Sequence, residues 1–303
     1  MSRKSEVAER RRRLGTNSRK QLLAGIPVEE RRLELAGVAT SMLDAGEGPP
    51  VLLLHGGIQC GGIYWAPVIS SLAEKNRVVV PDVPGLGESE PVEWLDAAFT
   101  EWFTALLRQT CSEPPFLIAH SLVGTLAVRF AAEHPDLVGR LVIYGVPGVG
   151  PFRAPLGLQI AGMRFDLRPS EANLIRFERW AHLDLDGTRR REPEWYGAFD
   201  GYMLSRGTTP HVKRTMRQLI NAGTKRIPDS ELERIEAPTS LLWGRHDRMV
   251  PLSLGEKTSS KLGWPLHAVD NAGHVPHMEQ PKAFLRTLSN IDSSSRRREA
   301  ERT

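Results

Sequence analysis

Five runs constrain the fold of this chain more than any other feature: VLLL at 51–54, VVV at 78–80, FLIA at 116–119, LVIY at 141–144 and SLLW at 240–243. Each is continuously apolar, too short for a stable helix, and bounded by turn-forming residues. A strand with one wet face alternates polar and apolar residues; a strand without that alternation is covered on both faces. Helical stretches separate these runs, at 66–72, 99–107, 122–135 (LVGTLAVRFAAEHP), 252–262 and 281–291. The pattern predicts an α/β fold with a mostly parallel central sheet flanked by helices. RLELAGVATSML at 32–43 reads as a hairpin turning near Gly37, and LHAVD at 266–270 as a further strand. No internal repeat is visible.

The alternation stops between residues 151 and 231, which contain no convincing strand. Three amphipathic helices are read there, from SEANLIRFERWAHL, EWYGAFDGYMLSR and PHVKRTMRQLINAG, with Ser170 as N-cap of the first. A helical block that follows a parallel strand lies over the sheet edge where such folds bind ligands, so 151–231 reads as a lid. The predicted organisation is then a core of 25–150 and 232–290, the lid, a disordered basic arm at 1–24 and a disordered tail at 291–303.

Within LIAHSLVGT, a strand ends and a helix begins at Ser121. Such a corner presents a serine as a nucleophile, but a serine hydroxyl is weak unless a base and an orienting acid are within reach. Asp247, in LLWGRHDRMVP, and His274, in VDNAGHVPHMEQP, both lie on loops past the C-terminal ends of strands, on the same sheet edge as Ser121. For the oxyanion hole, the Leu122 N–H opens the helix after the serine. Gly57 of the HGG stretch is the preferred second donor, with Ile58 as the neighbouring option. The glycines that usually flank such a serine, two places before and two after, are replaced by Ala119 and Val123. Gly124 keeps some clearance one place later.

These motifs resemble the α/β-hydrolase superfamily, in its lid-bearing branch of esterases, carbon–carbon bond hydrolases and cofactor-free haloperoxidases. The resemblance rests on LLLHGG (52–57), VVVPDVPGLGES (78–89), AHSLVG (119–124), GRHDRMVP (244–251) and AGHVPHMEQP (272–281), and spans about residues 33 to 290. It implies Ser121 as nucleophile, His274 as base and Asp247 as orienting acid, in the family's chain order. Serine at 121 argues against epoxide hydrolases and haloalkane dehalogenases, which carry aspartate there.

Other residues have plainer readings. Ser121 could be a simple helix N-cap. His120 reads as structural and His277 as a rival base. Asp82 reads as a turn former, Glu279 as a helix-start residue, and Cys60 as a small hydrophobe. No spacing of His, Cys or carboxylates matches a metal motif, and no cofactor is expected.

Charge concentrates at the ends. Residues 1–20 carry +6, residues 291–303 carry +1, and 21–290 carry −3. ERRRRLG at 9–15 could be a nucleic-acid or membrane-surface arm, but no aromatic residue interleaves it, so no nucleic-acid partner is expected. Two cysteines, no signal-peptide core and no apolar run of membrane-spanning length suggest the cytoplasm. The oligomeric state is not legible. The reading is a serine hydrolase that cleaves a small-to-medium apolar ester or related carbonyl compound through an acyl-enzyme. The lid aromatics Phe165, Phe177, Trp180, Trp195, Tyr196, Phe199 and Tyr202 motivate an apolar substrate. The alternative is a catalytically impaired relative that only binds an apolar ligand.

Overall fold

The computed structural model describes residues 3–93 and 95–300, and the side chains of 13–93 and 95–293. Eight strands form one sheet: β1 (Glu29–Leu35), β2 (Val38–Ala45), β3 (Pro50–Leu54), β4 (Arg77–Pro81), β5 (Phe116–His120), β6 (Arg140–Tyr144), β7 (Thr239–Gly244) and β8 (Leu266–Val269). Their order is β1-β2-β4-β3-β5-β6-β7-β8. The β1–β2 hairpin and the β2–β4 pair are antiparallel, and every pair from β4 to β8 is parallel.

The absence of polar alternation has a direct cause. Leu52 and Leu54 face one buried cluster, with Leu117, Ala119, Leu141 and Ile143. Val51 and Leu53 face another, with Ile118, Val142 and Tyr144. Each strand therefore feeds two apolar cores, one per sheet face. Covering them are α2 (Ala66–Ala73), α3 (Leu95–Thr110), α4 (Ser121–Glu133), α11 (Leu252–Leu262) and α13 (Pro281–Ala300), the last preceded by the one-turn α12 (Pro276–Glu279). A third cluster joins the region between β6 and β7 to the 60–64 loop.

That region is helical throughout: α5 (Leu156–Leu167), α6 (Glu171–Ala181), α7 (Leu185–Arg191), α8 (Pro193–Gly207), α9 (Pro210–Gly223) and α10 (Asp229–Leu232). Helices α6, α8 and α9 coincide with the three amphipathic stretches of the sequence. Helices α5, α7 and α10 do not: α5 is apolar on two faces and so lacks a helical polar–apolar period, and α7 and α10 span only seven and four residues.

The two ends differ from expectation. Residues 3–23 form a helix, α1, which packs on α8. Gly15 and Gly201 allow this: a Cβ on Gly15 would stand 2.3 Å from Ser205 Oγ, and one on Gly201 2.5 Å from Ser18 Oγ. Leu22 and Arg19 are buried there. The side chains of residues 9–12, at the centre of the basic run, lie outside the described residues. At the other end α13 continues through residue 300, Ile291 is buried, and Asp292 pairs with Arg140. Among the described residues no helix is long and apolar enough to cross a membrane.

Candidate active site

Strand β5 passes directly into α4, and Ser121 is the corner. Its φ is +49°, a left-handed conformation that costs a non-glycine residue on the order of 1–3 kcal/mol. The clearance expected from flanking glycines is supplied at Gly124, where a Cβ would lie 2.5 Å from Val146 Cγ2 and 3.3 Å from the Ala119 carbonyl oxygen. Val123 points into the core, fully buried. The turn keeps its strain despite Ala119 and Val123.

Two loops from later in the chain meet Ser121. Asp247 follows β7, and its Oδ1 accepts the N–H groups of Met249 and Val250 at 2.8 and 2.9 Å. These bonds aim Oδ2 at His274 Nδ1, 2.7 Å away. On the other side of the ring, His274 Nε2 lies 3.0 Å from Ser121 Oγ. The carboxylate only accepts, so Nδ1 carries the proton and Nε2 is free to accept from the serine hydroxyl. All three residues are buried.

Several residues hold this chain in place, and the sequence reading assigned some of them lesser roles. Glu279 is no mere helix-start residue. Its Oε2 accepts the Gly273 N–H at 2.6 Å, and its Oε1 accepts those of Leu183 and Asp184 at 2.8 and 3.0 Å. It therefore ties the His274 loop to the helical insert, as does the His274 N–H bond to the Ala181 carbonyl at 2.6 Å. Gly145, just past β6, was not singled out by its sequence. A Cβ there would lie 2.6 Å from His274 Cε1 and 3.4 Å from Asp247 Oδ2.

Two more histidines pack beside the site. His120 stacks on Tyr144 at 4.1 Å, and its Nε2 meets the His274 carbonyl at 3.1 Å. His277 bonds Tyr144 Oη through Nδ1 at 3.1 Å and packs on Trp65, so it is not the serine's base. Burial depresses both rings, His277 to about 3.

Of the two candidate donors in the loop after β3, the preferred one is engaged within the protein. Gly57 takes the turn at φ +79°, but its N–H points at His55 Nδ1, 3.3 Å away. Among the described residues the Ile58 and Leu122 N–H groups have no internal acceptor. Beneath this loop Asp82 does more than form a turn. Fully inside the protein, it accepts the Gly62 N–H at 2.5 Å and the Glu88 N–H at 2.8 Å. Cys60 is buried, as a small hydrophobe would be. Among the described residues no group of His, Cys, Asp or Glu is arranged to hold a metal ion.

Ser121 and His274 open into a cavity of about 480 Å³. Its wall is mainly apolar, with Met203, Met216, Met249 and Met278 beside Phe165, Phe177 and Phe199. Phe152 also lines it, and the other four aromatics of the insert pack elsewhere: Trp195 on Phe199, Tyr196 against His182, Tyr202 against Glu88, and Trp180 near Gly157.

Comparison with known proteins agrees with this fold. A family model described as the alpha/beta hydrolase fold matches residues 49–281. The chain is 26% identical over 262 residues to a 2-hydroxy-6-oxo-6-phenylhexa-2,4-dienoate hydrolase of Burkholderia cepacia, covering 80% of this chain and 87% of that protein. It is 26% identical over 296 residues to a 2-hydroxy-6-oxo-2,4-heptadienoate hydrolase of Pseudomonas putida, covering 89% and 98%. Among solved structures, a carboxylesterase from Bacillus subtilis superposes with a TM-score of 0.78 at 22% identity, over 94% of this chain and 98% of that one. With a strained serine corner at the edge of a parallel sheet and this family match along most of its length, the chain belongs to the alpha/beta hydrolase fold family and is a hydrolase.

Proposed function

We propose that Ser121, His274 and Asp247 are the catalytic triad of a serine hydrolase that cleaves a small-to-medium apolar ester or related carbonyl compound through an acyl-enzyme. One observation carries the reading: the unbroken Oγ–Nε2 and Nδ1–Oδ2 contacts of 3.0 and 2.7 Å at the end of an apolar cavity.

In this reading the serine oxygen attacks the carbonyl carbon as His274 Nε2 takes its proton, and Asp247 stabilises the resulting imidazolium. The Leu122 and Ile58 N–H groups receive the charge that develops on the carbonyl oxygen. The imidazolium then protonates the leaving group. In the second half His274 activates water, which releases the acid and restores the serine. The helical insert acts as a lid that keeps the acyl group in an apolar wall and excludes water. The named activities of the relatives make a ketone cleaved at a carbon–carbon bond the second substrate group to try.

The test pairs a short-chain p-nitrophenyl ester and a 2-hydroxy-6-oxo-dienoate with a fluorophosphonate probe read by intact mass. Turnover of either substrate and one adduct mapping to Ser121, both absent in Ser121→Ala, are expected. Stoichiometric binding of an apolar ligand without turnover or adduct would make the protein a non-catalytic binder instead.

A further inference from the structure

Helix α5 is apolar on two faces. Leu158, Ala161 and Phe165 are buried inward. Leu156, Ile160, Met163 and Leu167, spaced four, three and four residues apart, form an outward stripe with exposures of 71, 38, 55 and 71%. A helix with apolar residues on two faces normally buries both, yet this one has solvent along its outer side. Ile220 on α9, 50% exposed, extends the patch. The two helices are joined where Arg217 bonds the Asp166 carboxylate at 2.7 Å.

The patch also borders the opening of the cavity. The exposed residues of the cavity wall are Gln159 and Met163 on α5 and Arg217 and Ile220 on α9. The apolar stripe is thus continuous with the apolar interior that leads to Ser121. The charge around it is predominantly positive: segments 153–168 and 206–226 hold nine Arg and Lys against one acid of their own, Asp166, although Arg206, Lys225 and Arg226 pair with Glu88, Asp96 and Asp229 from outside them. Among the described residues Arg153, Arg164, Arg168 and Arg214 are exposed and have no ion-pair partner.

An apolar stripe rimmed by unpaired cations is the pattern of a surface that lies on an anionic bilayer. We propose that the outer faces of α5 and α9 dock on an anionic phospholipid surface, with Leu156 and Leu167 entering the acyl boundary and the arginines meeting the headgroups. The occupant is a lipid surface because the sign of the charge selects anions and the stripe leads into a cavity for apolar molecules. Delivery of a membrane-dissolved substrate to Ser121 rests on the hydrolase reading; the docking itself does not.

The experiment is co-sedimentation of the full chain with vesicles of phosphatidylcholine, with and without about one-third phosphatidylglycerol. Binding is expected to the anionic vesicles only, weakening at least tenfold between about 0.05 and 0.5 M salt. Leu156→Ser/Leu167→Ser should lower partitioning about tenfold, and Arg164→Glu/Arg168→Glu about 25-fold or more, at roughly fivefold per lost cation. Turnover of a soluble short ester should be unchanged in both, since none of the four residues lines the cavity. Ser121→Ala should bind vesicles like the native chain, which separates this proposal from the catalytic one. No binding to anionic vesicles, or equal binding by both double variants, overturns it. So does a dimer in light scattering that Leu156→Ser/Leu167→Ser dissolves, since a second copy would then cover the stripe.

Discussion

At the scale of residues, the site depends on close approaches more than on the reacting groups alone. Gly145 illustrates this. Its φ is +57°, and any side chain there would press into the His274 ring from below. Gly145→Ala should add on the order of 1–2 kcal/mol of backbone strain and push the imidazole off the serine. A shift of about 1 Å is worth roughly 100-fold in rate. The expected result is a kcat lowered about 100-fold with KM little changed, measured on a p-nitrophenyl ester; native kcat would show that the ring tolerates the methyl. Ser121, Asp247 and His274 were legible in the sequence because each sits in a local strand-end motif. Gly145 was not, because its meaning lies in a residue from another loop passing over it. The choice between the Gly57 and Ile58 N–H groups was left open for a similar reason: the direction of the Gly57 N–H is set by the ring of His55.

At the scale of elements, α1 shows how a charge run can mislead. All five residues at 9–13 are charged, which reads as a solvated arm. The helix is nevertheless seated on α8 by small residues whose purpose appears only when the partner helix is present. It also reaches toward the site. Arg19 bonds Glu30 at 2.7 Å and Tyr202 at 3.3 Å, and its charge acts on buried Asp82, the carboxyl under the 61–62 loop. Burial raises the Asp82 carboxyl above its usual range, and Arg19 is the largest influence opposing that rise. Arg19→Met should therefore leave Asp82 without its cation. With its bonds to Glu30 and Tyr202 also gone, we expect a loss of about 1–3 kcal/mol in stability and a fall in kcat as the 61–62 loop loosens, read by denaturant melts and ester kinetics. Native stability in Arg19→Met would make α1 a passenger on the fold. The core elements, by contrast, were legible from apolar runs alone, since a strand buried on both faces announces itself in any context.

At the scale of the whole molecule, burial of titratable groups predicts how stability varies with pH. Burial holds His55 and His277 down to about 3 and His182 to about 4, against about 6.5 in an unfolded chain. Between pH 6.5 and about 4 the unfolded chain takes up protons that the folded one refuses, so acid favours unfolding. At pH 5 each ring costs about 2 kcal/mol and the three about 6, comparable with the whole stability of many domains, roughly 5–15 kcal/mol. Glu178 acts in the opposite sense. Burial, reinforced by the charge of Asp200 and opposed by Arg189, pushes its carboxyl up to about 8. The folded state therefore holds a proton that the unfolded chain releases above about 4.5, and this contribution is lost as pH rises toward 8. From pH 7 to 5 it restores about 3 kcal/mol, half of what the three imidazoles remove, so the histidines prevail on the acid side and Glu178 on the alkaline side. Thermal melts of the native chain should show Tm highest between about pH 6 and 7, falling on both sides. Glu178→Gln should flatten the alkaline limb and steepen the acid one. A native Tm that stays level from pH 5 to 8 would mean that these imidazoles are hydrated in solution, and that the packing of Tyr64 and Trp65 around His277, one of the three, is open to water.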